Sequence, residues 1–258
     1  MTWQASELAQ RLDQALGVEG HPDYPAALNG LQVAHEGPGT KLAAAVDASQ
    51  KTIEGAARDG ANFLIVHHGL FWSGPQRITG HTYGRFRKLF EHDIALYSVH
   101  LPLDSHPTYG NNVLLANELS LTPSGQFASY QGRAIGVLGE VDLATGDLVA
   151  RADAFARRHG GQARASALPD GHRTRRWAIC TGGGASTDTL REAEQAGIDT
   201  LIVGEGPHHT AVEAPERGVV VIYAGHYATE TLGVAAITRH LASETGLPWS
   251  FIDSPTGL

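Results

Sequence analysis

Two adjacent histidines, His67 and His68, close an apolar run, Leu64-Ile65-Val66, and are followed by Gly69-Leu70-Phe71-Trp72. The run reads as a buried strand, and in open α/β sheets ligands bind beyond the carboxyl ends of strands. Neighbouring side chains on a strand point to opposite faces. Both imidazoles can therefore serve one cleft only where strand gives way to loop, and Gly69 makes that bend feasible. There the two rings could bind different ions of a pair; the competing reading is two surface loop histidines.

Two further pairs have the right chemistry. His100 and Asp104 flank Leu101-Pro102-Leu103. Pro102 argues against a helix and for an irregular loop at a strand end. A turn or helix-cap role for Asp104 ahead of Pro107 competes with metal ligation. His100 is open to three roles: ligand, donor behind a ligand, or substrate contact. His226 and Glu230 share one helix face if a helix starts near Gly225. A carboxylate has two oxygens and can bridge two cations; the rival is a helix-start His with a surface Glu. Glu205, His208 and His209 form another His/acid cluster after a strand, with an ordinary loop as rival. Backbone N–H groups of Gly182, Gly183 and Gly184 could cradle a phosphate. That stretch lacks the Lys of a P-loop and the spacing of a dinucleotide fingerprint, so a tight turn is the simpler explanation. Five or six nitrogen and oxygen donors exceed the four of a closed zinc site. They suit two ions about 3.5–4 Å apart with open positions for water, which is hydrolytic machinery.

Composition narrows the field. The chain has 258 residues, 42% hydrophobic and 18% charged, with a formal net charge of -8. Those values fit an ordinary globular protein. They disfavour nucleic acid and anionic membranes, which call for a basic face. The single cysteine, Cys180, excludes an internal disulfide and thiolate-rich metal sites. Met1-Thr2-Trp3-Gln4-Ala5-Ser6-Glu7 lacks a basic start and an apolar core, so no signal peptide is expected. No apolar run approaches the roughly 20 residues of a transmembrane helix. A cytoplasmic location follows as the default.

The elements alternate. Leu8, Leu12 and Leu16 mark a first helix, with Ser6 as its cap. Asn29-Gly30 signals a turn. Strands are expected over 41–47, 62–66, 94–99, 177–180, 199–203 and 219–223. Helices are expected over 49–58, 85–91, 111–119, 187–195 and 229–243. Such alternation implies crossover units and a largely parallel sheet. Between Pro123 and Arg176 the pattern changes to a strand at 133–139 and a helix over 145–159, with no catalytic constellation.

The two halves superimpose along the sequence. Ala48-Ser49 meets Ala185-Ser186, Thr52 meets Thr189, and Leu64-Ile65-Val66 meets Leu201-Ile202-Val203. His67-His68 falls on Gly204-Glu205; further on, His100 meets His226 and Asp104 meets Glu230. The expectation is an α/β protein of two similar lobes, an internal duplication, with a dinuclear metal site in the cleft between them. The lobes are 1–124 and 125–258, with the C-terminal helix packing back on the first. General similarity among αβ units is the rival explanation.

Several motifs together resemble one family. They are Asn29-Gly30-Leu31-Gln32-Val33, His67-His68-Gly69-Leu70-Phe71-Trp72, and His100-Leu101-Pro102-Leu103-Asp104 with Gly110-Asn111-Asn112. Thr181-Gly182-Gly183-Gly184 and Gly225-His226-Tyr227-Ala228-Thr229-Glu230 complete the set. The family is that of GTP cyclohydrolase I type 2 homologues, the NGG-one-interacting-factor-three-like dinuclear metal-centre proteins, in its short bacterial form. The resemblance implies two divalent metal ions on His67, His68, Asp104, His226 and Glu230, with Glu230 as bridge. It also implies a homohexamer, a trimer of dimers. The metals compatible with such donors are zinc, iron, manganese, cobalt and nickel. A metal-dependent hydrolase acting on a nucleotide or related heterocycle is the leading functional expectation, with His100 or Glu205 moving protons and Gly182, Gly183 and Gly184 contacting substrate. The alternative is a non-catalytic metal-binding scaffold built as a ring; a DNA-handling ring is disfavoured by the acidic composition.

Overall fold

The computed structural model describes residues 2–258. Met1, part of the segment read above for a leader, lies outside them. The first elements are β1 (Trp3–Gln4), α1 (Ala5–Leu16), a 3-10 turn (Pro25–Ala27), β2 (Gly30–Val33) and β3 (Pro38–Gly39). The first crossover region follows with β4 (Leu42–Asp47), α2 (Gln50–Arg58), β5 (Phe63–His68), α3 (Gly80–Glu91) and β6 (Ala95–Ser98). Next come α4 (Leu101–Asp104), α5 (Asn111–Glu118), β7 (Gly125–Tyr130), β8 (Arg133–Ala144), α6 (Thr145–Arg158) and β9 (Arg164–Ala165). The rest comprises β10 (Arg173–Cys180), α7 (Thr187–Gln195), β11 (Thr200–Val203), α8 (His208–Glu216), β12 (Val220–Tyr223), α9 (His226–Thr245) and β13 (Trp249–Phe251).

Two compact units result. One ends at Leu103 and regains the chain over Gly233–Ser254; the other comprises Asp104–Leu232 and Pro255–Leu258. The division falls at Leu103/Asp104 rather than at residue 124, because α5 belongs to the later core. Leu115, Ala116 and Leu119 pack with Phe155, Trp177 and Ile179. Asn112 Nδ2 also donates to Ile135 O at 2.6 Å on β8.

In the first unit the sheet order is β13-β4-β5-β6-β2, parallel except for β2. One face carries Ala43, Ala45, Leu64, Val66 and Leu96 against Ile53 and Ala56 of α2 and Leu89 of α3. In the second unit the order is β7-β8-β10-β11-β12-β9. Here β10, β11 and β12 are parallel, while β7, β8 and β9 are antiparallel. The α/β class holds, but this sheet is mixed, not largely parallel.

Identical caps open α2 and α7. Ser49 Oγ accepts the Thr52 N–H at 3.2 Å, and Ser186 Oγ accepts the Thr189 N–H at 3.1 Å. Each satisfies one of the donors that a helix start leaves orphaned.

Four local expectations are corrected. Helix α1 starts before Ser6, and Gln4 is its cap residue, with its N–H bonded to Glu7 Oε2 at 2.8 Å. Gly30 begins a strand rather than a turn, entered at φ 113°. Pro102 sits inside a single helical turn, Leu101–Asp104. A first-turn N–H has no intrahelical partner, so proline costs little there. The segment after Glu205 forms a helix, α8, from His208. Among the described residues no helix is long and apolar enough to cross a membrane.

Candidate metal centre

In the first unit three imidazoles converge at the ends of β5 and β6. His67 is fully buried, and its Nδ1 donates to Val99 O at 3.0 Å. A carbonyl only accepts, so this bond puts the ring proton on Nδ1 and leaves the lone pair on Nε2. His68 Nδ1 meets Asp47 Oδ1 at 2.9 Å, across the strand pair in which Asp47 and His68 are register partners. His100 Nδ1 meets Asp23 Oδ1 at 2.8 Å. One ligand atom from each of His67, His68 and His100 lies within 4.8 Å of the others. Trp72 stands edge-on to His68 and His100, at 5.4 and 4.7 Å between ring centroids.

Gly69 makes the bend after His68 feasible for a steric reason. A Cβ there would run into the Gln32 carboxamide. That carboxamide accepts the Leu70 N–H at 2.8 Å and donates to Leu28 O at 3.0 Å, pinning the loop.

In the second unit His226 is the first residue of α9 and Glu230 lies one turn later, on the same face as the spacing predicts. His226 Nε2 approaches Glu230 Oε1 at 3.1 Å, and its Nδ1 approaches Glu205 Oε1 at 2.8 Å. Burial works to lower the His226 pKa, but Glu230 and Glu205 outweigh it and raise the pKa to about 9. Glu230 is 2% exposed. Gly182, at φ +61°, packs against its carboxylate, and any Cβ there would fill the space. Asp104 is buried; its Oδ1 accepts Asn111 Nδ2 at 2.8 Å, and its main-chain oxygen accepts Asn112 Nδ2 at 3.1 Å. Asn112 Oδ1 in turn accepts the Thr181 N–H at 2.8 Å, tying Asp104 to the end of β10.

The remaining candidates fall into place around these groups. Glu205 backs His226. His208 and His209 are exposed on the first turn of α8 and belong to neither donor group. The glycine stretch is a turn: the Gly182 N–H is taken by Thr229 Oγ1 at 3.1 Å, and Gly182 O accepts the Glu205 N–H at 2.8 Å. Asp23, Asp47 and Gln32 were not foreseen as site residues. Only Asp47 left a signal, as the acid that ends an apolar strand beside a helix cap.

The donor types in each unit fit a divalent metal. Four imidazoles have Nδ1 held by an oxygen, which directs Nε2 outward, the orientation that metal-bound histidines show. The carboxylates Asp104 and Glu230 supply the charge such an ion needs.

The comparisons agree in placing the chain. A GTP cyclohydrolase 1 type 2 homolog of Deinococcus radiodurans is 40% identical, with 98% of this chain and 94% of that protein covered. The solved structure titled protein ybgI, unknown function, aligns with a TM-score of 0.88 at 34% identity, covering 99% of this chain and all of that one. A Thermus thermophilus structure aligns at 0.82 and 36% identity, covering 99% of this chain and 100% of the other. The family model Duf34/NIF3 (NGG1p interacting factor 3) matches residues 3–256, and the chain belongs to that family.

Proposed function

We propose that the chain binds two divalent metal ions and acts as a metal-dependent hydrolase on a nucleotide or related heterocycle. His67 and His68 from the first unit, with Asp104, His226 and Glu230 from the second, are the ligands in this reading, and Glu230 is the bridge. The observation that carries it is the common support of four imidazoles: His67, His68, His100 and His226 each present Nδ1 to an oxygen within 3.0 Å. One oriented histidine is ordinary; four amount to a prepared donor set. The names of the relatives, GTP cyclohydrolase 1 type 2 homolog, support a purine nucleotide as the substrate class.

Bound ions would acidify a water and polarise the electrophile. The protein's own part is to bind, orient and move protons. His100 has Nε2 left for a proton once Nδ1 is engaged, and Glu205 is the second candidate; either must come within hydrogen-bond reach of the reacting atom. With the Gly182 amide committed to Thr229, the Gly183 and Gly184 amides remain for an anionic part of the substrate. Zinc, iron, manganese, cobalt and nickel are the candidate ions. The family resemblance further supports a homohexamer, a trimer of dimers.

The test is a turnover screen of metal-loaded protein against nucleotides and phosphoesters, beside Asp104→Ala. Turnover by the parent that falls by about 100-fold or more in the variant supports the reading. Turnover unchanged in the variant contradicts it. Bound metal without turnover on any substrate would point to a metal-binding scaffold instead.

A further inference from the structure

The stretch His21-Pro22-Asp23-Tyr24-Pro25 reads in sequence only as a break, yet it places a carboxylate behind His100. Asp23 has a side chain only 6% exposed. It accepts four hydrogen bonds: His100 Nδ1 at 2.8 Å, Tyr24 N–H at 2.7 Å, Asn29 Nδ2 at 2.8 Å and Leu101 N–H at 2.9 Å. Asn29 completes the clamp, its Oδ1 accepting the His100 N–H at 2.8 Å.

We propose that Asp23 is a positioning residue for His100, fixing the imidazole as its Nδ1–H tautomer and reserving Nε2 for metal or substrate. The proposal rests on the reading of His100 as a site residue. An ionised carboxylate only accepts hydrogen bonds, so the ring nitrogen facing it must carry the proton. Both Asp23 oxygens act as acceptors: Oδ1 takes the Tyr24 N–H, and Oδ2 takes Asn29 Nδ2 and the Leu101 N–H. The bonds to the backbone of His100 and Leu101 would by themselves fix the chain. The bond to the ring fixes something else, which nitrogen is left to work. The other two carboxylates that hold a site histidine by its Nδ1 are far more open, Asp47 at 38% and Glu205 at 43%. Water competes least for the Asp23 bond, so this tautomer is the most firmly set of the three.

The test is long-range nitrogen–proton correlation NMR on protein labelled at histidine, as isolated and loaded with zinc. The His100 signal is assigned by its absence in His100→Gln. The expected result is an Nδ1–H tautomer in the parent, loss of that preference in Asp23→Ala, and its retention in Asp23→Asn, whose carboxamide oxygen still accepts. Asn29→Ala keeps the tautomer, because the ring bond survives. An Nε2–H tautomer in the parent overturns the proposal and needs no variant to fold. An unchanged tautomer in folded Asp23→Ala overturns it as well. Failure to bind zinc would count against the metal reading, and the tautomer would still be measured in the protein as isolated.

Discussion

In the first unit Thr52 Oγ1 donates to Asp47 O at 2.6 Å, and the Ala48 N–H reaches His68 O at 2.8 Å. In the second, Thr189 Oγ1 donates to Gly184 O at 2.8 Å, and the Ala185 N–H reaches Glu205 O at 3.3 Å. The same backbone frame therefore presents His68 in one unit and Glu205 in the other. What the side chains then do is reversed. In the first unit the imidazole emerges from the frame and a carboxylate, Asp47, backs it. In the second the carboxylate emerges and backs an imidazole, His226, from the start of α9. The frame decides where a polar group appears; the residue type decides whether it offers a lone pair to a ligand or orients one that does.

If the frames are equivalent, matched core truncations should cost alike. Leu64 and Leu201 are both fully buried at corresponding places in β5 and β11. Leu64→Ala and Leu201→Ala should each lose about 2–5 kcal/mol of stability in denaturant unfolding. A large loss in one with none in the other would break the comparison.

The backing carboxylates give the next largest effect. Asp47→Asn and Glu205→Gln should each weaken metal binding by about 10–100-fold in a chelator competition, leaving the fold intact. Unchanged affinity in either variant would remove that residue from the account and sharpen which unit dominates the site.

The smallest effect separates the ends of two strands. Ala45 pairs with Val66, and Cys180 pairs with Val203 in the same way. Burial first, then the charges of Asp104, Glu192 and Glu230, raise the Cys180 pKa to about 12. Only the thiolate is nucleophilic, so the folded protein should resist alkylation at pH 8 and react only as the pH nears that value or the chain unfolds. Rapid alkylation of folded protein at pH 8 would show that this strand end is more open than its counterpart.

The strands nearest the histidines were legible because β4, β5, β6, β11 and β12 are short apolar runs bounded by turn residues. Helix α9 was legible over 229–243, and its observed start at His226 meets the condition on which the i, i+4 reading of His226 and Glu230 depended. Other parts depend on contacts distant in sequence. β13 is three residues long and gains its identity by pairing with β4. The β7 strand takes a left-handed residue, Ala128 at φ 57°, which no local pattern announces. At the site, histidines and acids could be named from spacing, while the groups that aim them could not. Asp23 acts on His100 across most of the first unit's sequence, and Gln32 works through its fit against Gly69, a relation that exists only after folding.

The most direct measurement is anomalous diffraction from crystals grown without added metal. The account predicts two peaks, contacted by His67, His68, Asp104, His226 and Glu230, with Glu230 touching both. Peaks on other residues, or those five side chains lying apart from one another, would contradict it.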